Sequence, residues 1–84
     1  MYKIEYTDSA KRDRPKLSSK AKLIIQDAIN KKLATDPIRF GKPLRHNLKG
    51  LRSLRVSSYR VIYLVKDDVV IVTNIRHRKD VYEE

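Results

Sequence analysis

Between Leu51 and Ile75, apolar and polar residues alternate in three runs separated by two polar pairs. The runs are Leu51 to Val56, Tyr59 to Lys66 and Val69 to Ile75; the pairs are Ser57-Ser58 and Asp67-Asp68. A period of two marks strands with one buried face, and two-residue connections join antiparallel neighbours. The pattern predicts a three-stranded antiparallel meander. Neither pair contains glycine, so a longer loop or a bulge stands as the alternative to a tight primed turn. Counting outward from a two-residue Ser57-Ser58 turn sets Val56 against Tyr59 and Arg55 against Arg60, with both arginines on one face. Leu54, Val56, Tyr59, Val61, Tyr63 and Val65 then point to the core. The same counting across Asp67-Asp68 sets Arg60 against Ile75.

Upstream, Tyr2, Ile4 and Tyr6 alternate with Lys3 and Glu5, which predicts a short first strand. Thr7, Asp8 and Ser9 offer helix N-caps, and a first helix runs from Ala10 to about Leu17, with Pro15 bending or ending it. Ser18 and Ser19 cap a second, from Lys20 to about Thr35. Its apolar stripe is Ala21, Ile24 or Ile25, Ala28, Ile29 and Leu33. Asp36-Pro37 stops it, and residues 38–50, which hold both glycines, read as a connecting loop. The expected fold is α+β in two layers: an N-terminal strand, a helical hairpin and the meander, forming a mainly antiparallel four-stranded sheet. The helices cover one sheet face, and the other is left for polar chemistry.

Eighty-four residues predict a single domain, 1–84. The chain has no cysteine, which excludes disulfides and thiolate metal sites and fits the cytoplasm. It has no apolar run long enough for a membrane span, and no zinc, P-loop or dinucleotide motif. No cofactor is expected. The formal net charge is +10, and residues 1–50 carry thirteen Lys/Arg against five Asp/Glu. Such a surplus implies a polyanionic partner, nucleic acid or an acidic protein. Lys20, Lys31, Lys32, Arg45 and Lys49 are candidates for sequence-independent contacts to RNA phosphates.

Two arginines directly opposed on a sheet repel each other unless an anion separates them, and together they make a fork for phosphate. The alternative is that they splay into water or pair with Asp80, Glu83 or Glu84. Arg76, His77, Arg78 and Tyr82 follow the last strand and arrive near Arg60. With no paired carboxylates or serine–histidine arrangement, the chemistry available is cations, a histidine and a tyrosine. That inventory suits metal-free RNA cleavage, because RNA supplies its own 2′-hydroxyl nucleophile. His77 alone is weak evidence, and His46 weaker still.

The segment from Gly50 onward carries an arginine-bearing strand with Arg55, then Tyr59, Arg60, Val61, Ile62 and Tyr63, and closes on His77, Arg78, Lys79, Asp80, Val81 and Tyr82. In order and spacing these resemble the C-terminal half of RelE/ParE superfamily toxins, and the likeness extends over nearly the whole chain. It implies the toxin half of a toxin–antitoxin pair: an endoribonuclease acting on mRNA at the ribosome, held by a cognate antitoxin, with oligomerisation mainly through that complex. It implies site roles for Arg55, for Arg60, for Arg76 or Arg78, and for Tyr82. The family often has a basic residue where this chain has Ser53, so His77 or Lys49 is the substitute general base. The ParE branch, which poisons DNA gyrase, and a non-catalytic RNA- or ribosome-binding homologue are the alternatives.

Overall fold

The computed structural model describes residues 1–44 and 50–80. Strand β1 is Lys3–Tyr6, helix α1 Asp8–Asp13, helix α2 Ser19–Ala28 and helix α3 Pro37–Phe40. Strands β2 (Lys42–Pro43), β3 (Arg52–Val56), β4 (Tyr59–Lys66) and β5 (Val69–His77) follow. They form one sheet in the order β1-β5-β4-β3-β2, antiparallel except where β1 runs parallel to β5. The expected α+β order is present, with five strands among the described residues in place of four.

The fifth strand and α3 both come from the stretch read as a loop. Asp36 does end the long helix, but its side chain also accepts from Arg39 N at 3.2 Å and Pro37 takes the first helical position, so the same dipeptide starts α3. Thr7 and Ser18 cap α1 and α2 through their hydroxyls. Pro15 removes an amide that α1 would need, and the helix finishes in a 3-10 turn, Arg14–Lys16. Beyond α2 the chain widens into a π-helical turn, Ile29–Leu33, which closes with Ala34 N donating to Ile29 O at 3.0 Å. The buried stripe is Ala21, Ile25, Ile29 and Leu33; Ile24 faces outward.

These side chains and Ala10 pack on Leu54, Val56, Val61, Tyr63, Val70, Val72 and Ile75. Complete burial of Val61, Tyr63, Val70 and Val72 contributes about 1.5–3 kcal/mol each. Every strand residue in this core comes from one sheet face, so the helices form a single layer.

Both connections within the meander are two-residue turns, with positive φ (55°) at Ser57 and Asp67. The β3–β4 register is the expected one, with Arg55 opposite Arg60. The β4–β5 register is not. It shifts at Ile62/Tyr63: Tyr63 pairs with Val72 but Ile62 with Asn74, which leaves Thr73 as an extra residue. Arg60 therefore faces Arg76, not Ile75. β5 also continues two residues past its expected end.

Candidate functional site

Three arginines lie side by side across three strands: Arg55 on β3, Arg60 on β4 and Arg76 on β5. By alternation all three start from the sheet face away from the helices, because their neighbours Leu54, Val61 and Ile75 are buried against the helices, but the Arg76 side chain turns back to the end of α1. Arg55 and Arg76 are exposed and Arg60 is half-buried. Three adjacent cations strain the sheet unless anions meet them.

One anion is built in. Asp13, at the end of α1, is only 5% exposed. Its Oδ2 accepts from Ile75 N at 2.9 Å and from Arg76 Nε at 3.3 Å. β1 stops at Tyr6, so the next stretch of β5 has no strand beside it, and Asp13 takes the amide that a strand would have satisfied. Held at Nε, Arg76 keeps its two terminal nitrogens for a ligand.

The row borders two cavities. One, of about 450 Å³, is lined by Arg55, Arg60 and Ser53 from the sheet and by Lys32, Phe40 and Lys42 from the segment before it. The other, of about 460 Å³, lies beside Arg76, Asp13, Tyr59, His77 and two lysines, Lys16 and Lys79. Ser53 pairs with Ile62 and shares the arginine face.

His77 does not join the arginines. It pairs with Tyr59, whose face is the helical side, and their rings meet edge-on at 5.3 Å. Its Nδ1 accepts from Lys79 N at 3.3 Å, so a neutral ring carries its proton on Nε2. Arg78 lies in a 3-10 turn, exposed, with its backbone N donating to Ser58 O at 2.7 Å. Of the phosphate-contact candidates, Lys32 lines the first cavity, Lys31 pairs with Asp27 at 3.3 Å, and Lys20 is exposed on α2. Arg45, His46, Lys49 and Tyr82 lie outside the described residues.

Sequence reasoning missed Asp13, Arg52, Phe40 and Lys42. Arg52 shares the core-side face with Tyr63, and its guanidinium donates to the carbonyls of Ile38 (2.7 Å) and Gly41 (3.0 Å). The Tyr63 hydroxyl donates to Pro37 O at 2.6 Å. Burial pushes this phenol above the ordinary tyrosine range, and the hydrogen bond and charge of Arg52 pull it partly back.

Residues 4–82 match the family described as ParE toxin of type II toxin-antitoxin system, parDE. Toxin RelG of Mycobacterium tuberculosis is 34% identical over 83 residues, 96% of this chain and 95% of that protein. Toxin RelE of the same organism is 38% identical over 66 residues, 79% of this chain and 68% of that protein. The crystal structure of the toxin–antitoxin complex RelBE2 from M. tuberculosis superposes with a TM-score of 0.84 at 33% identity, covering 92% of this chain and 98% of that one. With its fold and these relatives, the chain belongs to the RelE/ParE superfamily of toxins of type II toxin–antitoxin systems.

Proposed function

We propose that this chain, acting as a single domain in the cytoplasm, cleaves messenger RNA on the ribosome without a metal. The observation that carries the reading is the row of Arg55, Arg60 and Arg76 on the open sheet face. In the reaction the 2′-hydroxyl attacks the adjacent phosphorus, a 2′,3′-cyclic phosphate forms, and the bond to the 5′-oxygen breaks. The 2′ proton leaves to a base and the 5′-oxygen gains one. Charge grows on the non-bridging oxygens, and a bidentate Arg60 strengthens its hold as it does. Arg55 and Arg76 flank that phosphate. Tyr82 orients it or moves a proton. His77, turned to the helical side with Tyr59, is a poorer base candidate than its place in the sequence suggested.

The similar solved complex joins a toxin to an antitoxin. By that likeness an acidic or amphipathic antitoxin restrains this strongly basic chain, and oligomers form mainly through that complex. The matched family bears the ParE name, which favours gyrase inhibition as the second reading. Primer extension on cellular mRNA after brief induction separates the two. Codon-linked cuts that disappear with Arg60→Ala support the nuclease; DNA damage without cuts supports gyrase.

A further inference from the structure

Phe40 is the only phenylalanine in the chain, and it is 41% exposed. Tyr2, Tyr6, Tyr59 and Tyr63, by contrast, all belong to the core or pack against it. An exposed aromatic is unremarkable on a loose loop, but α3 is held firmly. Arg52 grips the carbonyls of Ile38 and Gly41, and the buried Tyr63 hydroxyl grips that of Pro37. A Cβ on Gly41 would overlap the Tyr63 hydroxyl, so only glycine lets α3 sit this close to the sheet. Two polar side chains from the core-side face thus fix a four-residue surface helix. α3 presents Ile38, which is 53% exposed, and the Phe40 ring, and of the two only Phe40 is on the wall of the cavity that Arg55 and Arg60 also line. Lys32 Nζ and Arg39 Cζ lie 5.9 and 5.6 Å from the ring centroid, near the outer range of a cation–π contact.

We infer that Phe40 is a preorganised stacking platform for one base of single-stranded RNA, with Lys32 and Lys42 on the flanking phosphates and Arg60 on the next. Every base has a π-face, so the platform is tolerant of sequence, and the cations beside it track the backbone. A cavity of about 450 Å³ lies within the ~300–1,000 Å³ of ligand-sized clefts. The fixed backbone lowers the ordering cost of binding. This inference rests on the RNA-cleaving reading and names a base subsite for it.

The test uses the full chain and a short 2′-O-methyl RNA, which binds but cannot be cut, with 2-aminopurine placed at each position in turn. The wild type should quench the fluorophore at one position. Phe40→Leu should abolish that quench and weaken binding on the order of tenfold. Phe40→Trp and Phe40→Tyr should keep the affinity. An oligomer abasic at that position should bind wild type and Phe40→Leu equally. Circular dichroism controls for folding. No binding by the wild type, or equal affinity of Phe40→Leu for the intact oligomer, overturns the platform. So does a Phe40→Leu variant that loses only its antitoxin, which would make this a protein-docking surface. Ribosomal cleavage by wild type and Arg60→Ala is measured in parallel, so the nuclease reading and the platform fail separately.

Discussion

The two hairpins of the meander have the same turn length and the same positive φ at their first turn residue. Yet only one keeps the register its turn dictates. In β3–β4, every pair from Val56–Tyr59 to Arg52–Tyr63 follows by counting. In β4–β5, counting holds from Lys66–Val69 to Tyr63–Val72 and then fails at Thr73. The extra residue is tied on both sides: its hydroxyl donates to Ile62 O at 3.2 Å, and its carbonyl accepts from the Thr7 hydroxyl at 3.0 Å. A turn sets register only as far as the first bulge, and bulges re-aim the side chains beyond them. Here the bulge brings Arg76 into line with Arg60.

Arg60→Ala tests the row where both hairpins share a strand, and carries the largest expected effect. Cleavage of mRNA on ribosomes should fall roughly a hundredfold or more, equivalent to about 2–4 kcal/mol of barrier, with the circular dichroism spectrum unchanged. Lys at this position should restore only part of the rate, because it lacks the fork. A folded Arg60→Ala that cuts at the wild-type rate would sink the catalytic role of the row.

Asp13→Asn probes the β5 end of the row alone. Asparagine keeps an oxygen that can accept from both Ile75 N and Arg76 Nε, but it lacks the negative charge that holds the guanidinium. Cleavage should drop on the order of tenfold, with a stability loss of about 1–2 kcal/mol once the 43% exposure of the Arg76 side chain is discounted. In an Arg76→Ala background both effects should largely vanish, because what is lost is the pairing with Arg76. Equal activity losses in both backgrounds would mean that Asp13 acts without Arg76.

Much of this was legible in advance, and what was not has physical reasons. The β3–β4 faces follow from alternation alone: Leu54, Val56, Val61 and Tyr63 are buried where the period of two puts them. The bulge did leave a trace. The buried positions of β5 run Val70, Val72, then Ile75, with the polar pair Thr73-Asn74 breaking the period. Asp36-Pro37 was ambiguous, because aspartate before proline ends one helix and caps another equally well. That hid α3, and with it Phe40. Nothing in the sequence separates Asp13 from the other charges of a short polar helix; the free β5 amide that it meets follows from β1 ending at Tyr6, which only the sheet order reveals. Alternation puts Arg52 on the same side as Leu54 and Val56, but the carbonyls it serves belong to the stretch that reads as a loop, so its role has no sequence signal.

Tyr63→Phe sharpens the contrast at the point where the register changes. Tyr63 has the last regular pair before the bulge, and its hydroxyl holds α3. Removing the hydroxyl should cost about 0.5–1.5 kcal/mol at neutral pH. Its raised folded pKa means that the native state keeps the phenolic proton after the unfolded chain has lost it. That stability is complete below the unfolded value of about 10 and declines as pH rises above it. Urea melts between pH 9 and 11 should show the gap between wild type and Tyr63→Phe narrowing as pH rises. A constant gap would mean that this phenol titrates alike in both states.

Deleting Thr73 isolates the bulge. Removing one residue lets the Asp67-Asp68 turn count correctly through the whole hairpin. The residue now at 76 moves into the place opposite Arg60, so that pair survives. Alternation becomes regular as well, with the present Ile75 following Val72 on the core side. What is lost is the anchor of Thr73 between Ile62 and Thr7, together with the local twist. The expected cost is about 1–2 kcal/mol in urea melts, from two modest hydrogen bonds. Cleavage should fall only severalfold, far less than for Arg60→Ala. A deletion variant that is folded but as inactive as Arg60→Ala would show that the twist, and not the pairing alone, aims Arg76. A variant that cannot fold would show that β5 needs the extra residue to reach both β4 and α1.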